Sequence, residues 1–384
     1  MKNKTSQCLL LSVGIFFYFN TTVLAQNKSD TLNSEGKFHF SIYNLNYLRD
    51  YEYFSPILEG YTLCGSIVQP AITFNPSAKV SFSGGVFIQQ NFGDDSLRIR
   101  PTFLLTIRNS TNDLSFGNYR NTEGHQLIEP LWFSDNLITD NIENGFNLKQ
   151  KFNHIELNNW IDWNRSIKKG SKFQEKVFGG ITSNIFPLKN FNSIIIIPLQ
   201  TCIEHTGGQI NEPDTSFFVT TVLNADIGIK SVIKNIKTKI LFNEFSVETY
   251  YVFYKEFSPN PHLQFTKGNG IWAKTTLKSK NGMGIEFAFW QGNDFISSKG
   301  NALMQSVSSV YPDNNYSEKK RKLLFFTLKF EKEVAQHINL LLSAEPYYDL
   351  GNKLLEYGIH FHLNFILNED QHLFNKNELR KIKE

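Results

Sequence analysis

The chain has 384 residues, with 39 Lys and Arg against 36 Asp and Glu (net charge +3), and 14% aromatic residues. That balance leaves no basic footprint for nucleic acid, so no nucleic-acid partner is expected. The length admits two soluble domains or one large barrel, and no stretch beyond the N-terminus has the twenty or so uncharged apolar residues of a membrane helix.

In chain order, residues 1–25 read as a secretory signal peptide. Lys2 and Lys4 form a basic start, Leu9 to Phe19 an apolar core, and Val23-Leu24-Ala25 a small-residue cleavage site before Gln26. Losing those two lysines takes the net charge from +3 to +1. Cys8 lies at the start of the apolar core, which argues against a lipid-anchored cysteine. Residues 26–36 read as a short periplasmic segment, 37–367 as a barrel and 368–384 as a charged periplasmic tail.

About sixteen strand-like segments (fourteen to eighteen) can be marked within 37–367. They cover 37–47, 63–74, 79–92, 96–108, 114–119, 144–152, 155–167 and 175–187, then 193–206, 217–233, 237–254, 271–280, 282–290, 321–331, 338–347 and 354–367. Short turns such as Asn75-Pro76-Ser77-Ala78 and Lys280-Asn281-Gly282 mostly follow even-numbered segments. Longer gaps, including 118–143 and 291–320, generally follow odd-numbered ones. Short periplasmic turns opposite longer external loops are the asymmetry of outer-membrane barrels. The expected fold is therefore all-β, a single transmembrane antiparallel up-and-down barrel. Cys64 and Cys202 fall on distant segments, and a disulfide needs Cα atoms within about 7 Å, so both are expected free.

The last segment is the clearest. Leu355, Tyr357, Ile359, Phe361, Leu363, Phe365 and Leu367 share one face, while Glu356, Gly358, His360, His362 and Asn364 share the other. Period-two sorting of this kind suits a strand with lipid outside and water inside. The order polar–x–Gly–x–x–aromatic–x–apolar from Glu356 to Leu363 resembles the closing-strand signal of bacterial outer-membrane barrels. That resemblance implies the bacterial outer membrane as location, with its lipid and the barrel assembly machinery as partners. It departs from the signal in that a charged tail follows the aromatic residue.

The same parity sends charges inward, because a charge on the lipid face costs about 2–4 kcal/mol at mid-membrane. Expected luminal residues are Arg98, Arg100 and Arg108, then Lys149 and Lys151, then Glu156 with Trp160 and Asp162. Glu244, Glu248, Lys274, Lys278, Glu286 and Glu345 follow, and the closing strand adds Glu356, His360 and His362. The two histidines and Glu356 could hold a metal, but no third ligand position is fixed, so they read as polar wall and no cofactor is expected.

The basic cluster would lie beside the third long loop, 118–143, which carries Glu123, Glu129, Trp132 and Asp135. This layout resembles general porins, whose third loop folds inward to face a basic wall. It implies a constriction in which Glu129 or Asp135 faces Arg98 and Arg100. The chain also resembles uncharacterised outer-membrane barrels of Bacteroidetes-type bacteria. The expected function is a porin-like channel for small hydrophilic solutes, not an enzyme, with oligomerisation left open. Two alternatives stand beside it. One is a plugged barrel serving as a receptor or scaffold. The other is an enzyme barrel acting on lipid or surface peptide, which needs a nucleophile and base together at the outer rim or on the lipid face; His125, His205 and His262 are the loop histidines available.

Overall fold

A computed structural model describes residues 35–207, 218–235, 242–310 and 316–367. Among them sixteen strands form one sheet: β1 (Phe38–Glu52), β2 (Thr62–Ser77), β3 (Val80–Asn91), β4 (Leu97–Arg108), β5 (Asn112–Arg120), β6 (Ile142–Lys151), β7 (Ile155–Arg165) and β8 (Glu175–Lys189). The second half is β9 (Ser193–Gly207), β10 (Thr220–Lys234), β11 (Phe242–Glu256), β12 (Lys267–Ser279), β13 (Met283–Asn293), β14 (Lys320–Ala335), β15 (Ile338–Asp349) and β16 (Leu354–Leu367). Each pairs antiparallel with its chain neighbours, and β1 closes the ring on β16 with Tyr47 opposite His362. Closure leaves no edge of unpaired backbone groups, which is the condition for a sheet to sit in hydrocarbon. The signal peptide and the charged tail lie outside the described residues.

Alternation explains the wall. On β4, Ile99 and Phe103 point outward and are exposed, whereas Thr102 and Thr106 point inward and are buried. On β16, Leu355, Tyr357 and Ile359 face out while Glu356 and His360 are buried within. Strand ends are set by the partner as much as by the strand itself. β12 starts at Lys267 rather than Ile271 because β11 carries the ladder on to Lys255, opposite Lys267. At the crowded β4–β5 pairing, Gly117 adopts φ +124°, and a Cβ there would lie 2.1 Å from the Phe103 carbonyl oxygen. Only glycine fits that approach. Cys64 and Cys202, on β2 and β9, are free.

A barrel of this size is too wide for wall side chains to fill. Here the segments 53–61, 121–141 and 294–310, all at the long-loop end, turn into it. Ile128, Leu131 and Trp132 from one and Phe295, Leu303 and Met304 from another are buried against Tyr53 and the wall residues Trp160, Phe178, Tyr250, Trp272 and Trp290. The two larger segments are locked together. Phe133 N–H donates to the Lys299 carbonyl at 2.7 Å, and Lys299 Nζ meets Asp140 at 2.5 Å. The Asn301 backbone and side-chain amides both donate to Glu129 at 3.1 Å. A Cβ on Gly300 would lie 1.9 Å from the Pro130 carbonyl oxygen. Burial, reinforced by nearby Glu345, pushes the Glu129 carboxyl up to about 7, against 4.5 when free.

Two expectations follow. Phe103→Lys, on the lipid face, should lower folding stability in vesicles by about 2–4 kcal/mol, while Arg100→Gln, on the inner face, should cost far less. Equal costs in denaturant titrations would mean the faces are assigned wrongly. For Glu129, the folded state holds its proton more tightly than the unfolded chain. Its contribution is therefore complete below pH 4.5 and is lost as pH rises through about 7, a drop of about 3 kcal/mol. Glu129→Gln should flatten the pH dependence of stability over that window, and an unchanged slope would place the effect elsewhere.

Candidate functional site

The expected luminal charges all sit on the inner face, and most pair there. Arg108 meets Asp113 at 3.0 Å, Glu156 meets Lys189 at 3.7 Å, and Glu244 meets Lys278 at 4.0 Å. Glu248 bridges Lys230 and Lys274 at 2.7 and 3.2 Å, and Lys274 also reaches Glu286 at 3.8 Å. Asp162 accepts from the Asn144 backbone at 2.7 Å. Lys149 reaches the loop residue Glu123 at 3.6 Å, while Lys151 and Arg100 lie on the same wall nearer solvent.

The partners of the 121–141 segment differ from the expected ones. Asp135 does not face Arg98 or Arg100. It accepts from Arg49 of β1, from the Tyr51 hydroxyl at 2.6 Å and from the Tyr61 hydroxyl at 2.7 Å. Arg98 instead donates to the Thr139 carbonyl at 3.2 Å and to Gln89 at 3.3 Å. Glu129 is held by Asn301, and Trp132 is buried in the packed interior. The physical reason is reach: the segment runs through the lumen past β4 to β1, four strands from β5, so Asp135 meets β1 and not the basic residues of β4.

The histidines separate into structural and accessible ones. His125 stacks on Trp160 (ring centroids 3.9 Å apart, 5° between planes) and bonds Glu143 at 2.8 Å through Nε2. Asn158 approaches its Nδ1 at 3.2 Å, and only 3% of the residue is exposed, so no substrate reaches it. His360 and His362 diverge, one to Glu345 at 3.3 Å and the other accepting from Arg49 at 3.0 Å. Glu356 is engaged by the Phe54 backbone at 2.5 Å and by the Tyr347 hydroxyl. Among the described residues no three such groups converge as metal ligands.

His262 is different. It lies at the long-loop end, between β11 and β12, and is partly exposed. Its Nδ1–H donates to the Asn260 carbonyl at 3.2 Å and lies 3.5 Å from Glu256 Oε1, which leaves Nε2 as the acceptor. The Thr220 hydroxyl, at the start of β10, is 3.1 Å from that Nε2. Glu256 is a buried end residue of β11, and its two oxygens also take the backbone N–H groups of His262 and Leu263 at 3.1 and 3.3 Å. Hydroxyl, imidazole and carboxylate thus stand in sequence, each oriented by the next, as nucleophilic acyl transfer requires. The Phe218 ring stacks on His262 at 4.9 Å and is exposed, as is Phe257, which follows Glu256 in the chain. One step around the rim, His205 Nδ1 meets the Thr221 hydroxyl at 2.9 Å.

Sequence reading placed His205 and His262 near this rim but missed Thr220, Thr221 and Glu256. Their meeting depends on cross-strand register, Thr220 opposite Thr206 and Val222 opposite Glu256, which alternation within one strand does not disclose.

Comparison with known proteins separates fold from family. OmpT of Vibrio cholerae, solved in a trimer form, superposes with a TM-score of 0.51 over 87% of this chain and 100% of its own, at 8% identity. OprD of Pseudomonas aeruginosa gives 0.52 over 88% and 97%, at 11% identity. At such identities the likeness is one of fold, an outer-membrane barrel. No curated protein sequence matches. The family model described as lipid A 3'-O-deacylase-type matches residues 27–375, nearly the whole chain. That match overturns the expectation of a barrel without enzymatic activity, because the family is described by a hydrolytic reaction on a membrane lipid. The chain belongs to the lipid A 3'-O-deacylase-type family of outer-membrane barrels.

Proposed function

We propose that this protein is an outer-membrane acyl-ester hydrolase, acting on an ester-linked chain of a lipid A-class glycolipid at the outward-facing rim of the barrel. The observation that carries the reading is the Thr220–His262–Glu256 arrangement at the long-loop end, beside exposed Phe218 and Phe257. The long-loop end is taken to face the cell exterior, where the acyl esters of such a lipid would lie level with the rim. Passive solute passage is the weaker reading, because the inward segments pack the interior that a channel would need.

In this reading His262 Nε2 accepts the Thr220 proton as Oγ1 attacks the ester carbonyl. The tetrahedral intermediate collapses to a threonyl ester, and the released sugar hydroxyl takes the proton back from His262. A water then gives its proton to the same nitrogen and attacks the threonyl ester, which returns Thr220 and frees the fatty acid. Glu256 stabilises the imidazolium formed in each half and keeps Nδ1 protonated. Phe218 holds the ring face and offers, with Phe257, an apolar seat for the chain being removed.

Purified protein incubated with lipid A in mixed micelles should remove ester-linked acyl chain, read by mass spectrometry. Thr220→Val and His262→Asn should each lower the rate at least about 100-fold, and Glu256→Gln about tenfold or more, while the barrel still folds. Full activity in Thr220→Val together with His262→Asn would remove this site from the reaction. Activity lost only in His262→Asn would leave histidine as base for a directly attacking water.

A further inference from the structure

The outer wall a few strands away holds a second feature. β11 to β16 carry a furrow of about 480 Å³ whose lining is almost wholly apolar. Its residues centre on outward-facing positions: Phe287 and Phe289 of β13, Leu324 of β14 and Pro346 of β15, with the small Ala273 and Thr275 of β12 as floor. The inner-face residues that also touch it fall between those positions, as expected where their backbone forms the base of an outside groove. Proline supplies no ladder donor, and the β14–β15 ladder lacks pairs between Phe325–Tyr347 and Leu328–Ala344, the stretch that holds Pro346, with the register unchanged on either side. The wall is therefore hollowed on its lipid side by small residues and a pairing gap, with aromatic rings as banks.

At the long-loop end of this furrow stands positive charge. Lys322 and Lys320 continue the outward row of Leu324 on β14, opposite Gln291 and Asn293. Lys267 continues the outward row of Ala273 on β12, and Lys255 of β11 lies directly opposite it. All four are exposed. None of the four makes an ion pair among the described residues: the nearby acids Glu318 and Asp349 turn inward to buried Arg321. Like charges facing each other across strands repel. An anion at this level would relieve that repulsion, and Gln291 and Asn293 would add amide donors.

We propose that this wall is a binding site for a phosphate-bearing lipid of the outer leaflet, the phosphate held by Lys320, Lys322 and Lys267 and one acyl chain lying in the furrow beneath. Charge at one end and an apolar trough running from it match a lipid with an anionic head, and neither a soluble anion nor an uncharged lipid uses both halves. The site spans β12 to β14, two to four strands along from Thr220 on β10, or about 10–19 Å at about 4.8 Å per strand. It does not depend on the proposed hydrolysis.

The test uses the full chain in detergent, with native mass spectrometry counting retained lipid. The probes are phosphatidic acid and diacylglycerol with identical chains, so the pair differs by the phosphate alone. The wild type should retain phosphatidic acid at least tenfold better than diacylglycerol. The Lys320→Gln, Lys322→Gln double variant should lose that preference, and Ala273→Phe, which fills the trough, should weaken retention of both lipids. Thr220→Val should bind as the wild type does, so that a failed hydrolysis and a failed lipid site are told apart. Equal retention of the two lipids by the wild type, or an unchanged preference in the double lysine variant, overturns the proposal. The lysines are exposed and outside the packed interior, so the double variant is expected to fold. Retained heat-modifiable gel mobility checks this, and Ala273→Phe gives an independent reading on the other half of the site.

Discussion

The ion pair between Arg49 and Asp135 ties the rest of the structure together. Closing sixteen strands leaves no open sheet edge but leaves a lumen that wall side chains cannot span. The 121–141 segment fills it only if its far end is anchored across the opening, and Asp135 is that anchor. Arg49 is itself held by His362 and Ser134, so the closing strand, the first strand and the inward segment meet at one guanidinium. Breaking a buried pair by removing one partner costs about 3–5 kcal/mol, because the survivor is left buried and charged. The apolar packing of Leu131, Trp132, Phe295 and Met304 then follows from where that segment is pinned.

The packed interior changes what the charged wall is for. In an open channel the paired residues Lys230, Glu248, Lys274 and Glu286 would act on passing solutes. Here they bond one another below the packed segments, and each charge has its neutralising partner within reach. Such pairs keep a polar interior from costing stability, and exposed ones add little beyond that. In the proposed reading the chemistry therefore sits at the rim, at the long-loop end, and not in the bore.

Much of the fold could be read in the sequence, because alternation in a membrane strand is enforced twice, by lipid outside and water inside. Leu355 to Leu367 and Ile99 to Ile107 carry that constraint plainly, and the strand number, antiparallel order and free cysteines follow from it. The inward course of the 121–141 segment was implied by the resemblance to porins, but its partners were not legible. Asp135 meets Arg49, some 86 positions earlier, and nothing local in either stretch points to the other. The rim site was legible only as far as His262. Thr220 looks like any strand residue until register sets it beside an imidazole 42 positions away.

That difference has a physical origin which bears on how a barrel can host chemistry. A strand repeats every second residue, so its sequence encodes which face a side chain takes and says nothing about height relative to a neighbour. Height is fixed by register, and register accumulates around the ring from turn to turn. A catalytic set on a barrel must come from groups at equal height on adjacent strands or in the loop between them. Thr220, Glu256 and His262 meet that condition: two are strand ends that register brings level, and the third is carried by the loop that leaves β11. The loop is then held in place by the same carboxylate that orients the imidazole, since Glu256 takes both backbone N–H groups at His262 and Leu263. One buried side chain thus holds both the position of the imidazole and, in the proposed reading, its tautomer, so that a short loop above the wall is tied to the wall itself.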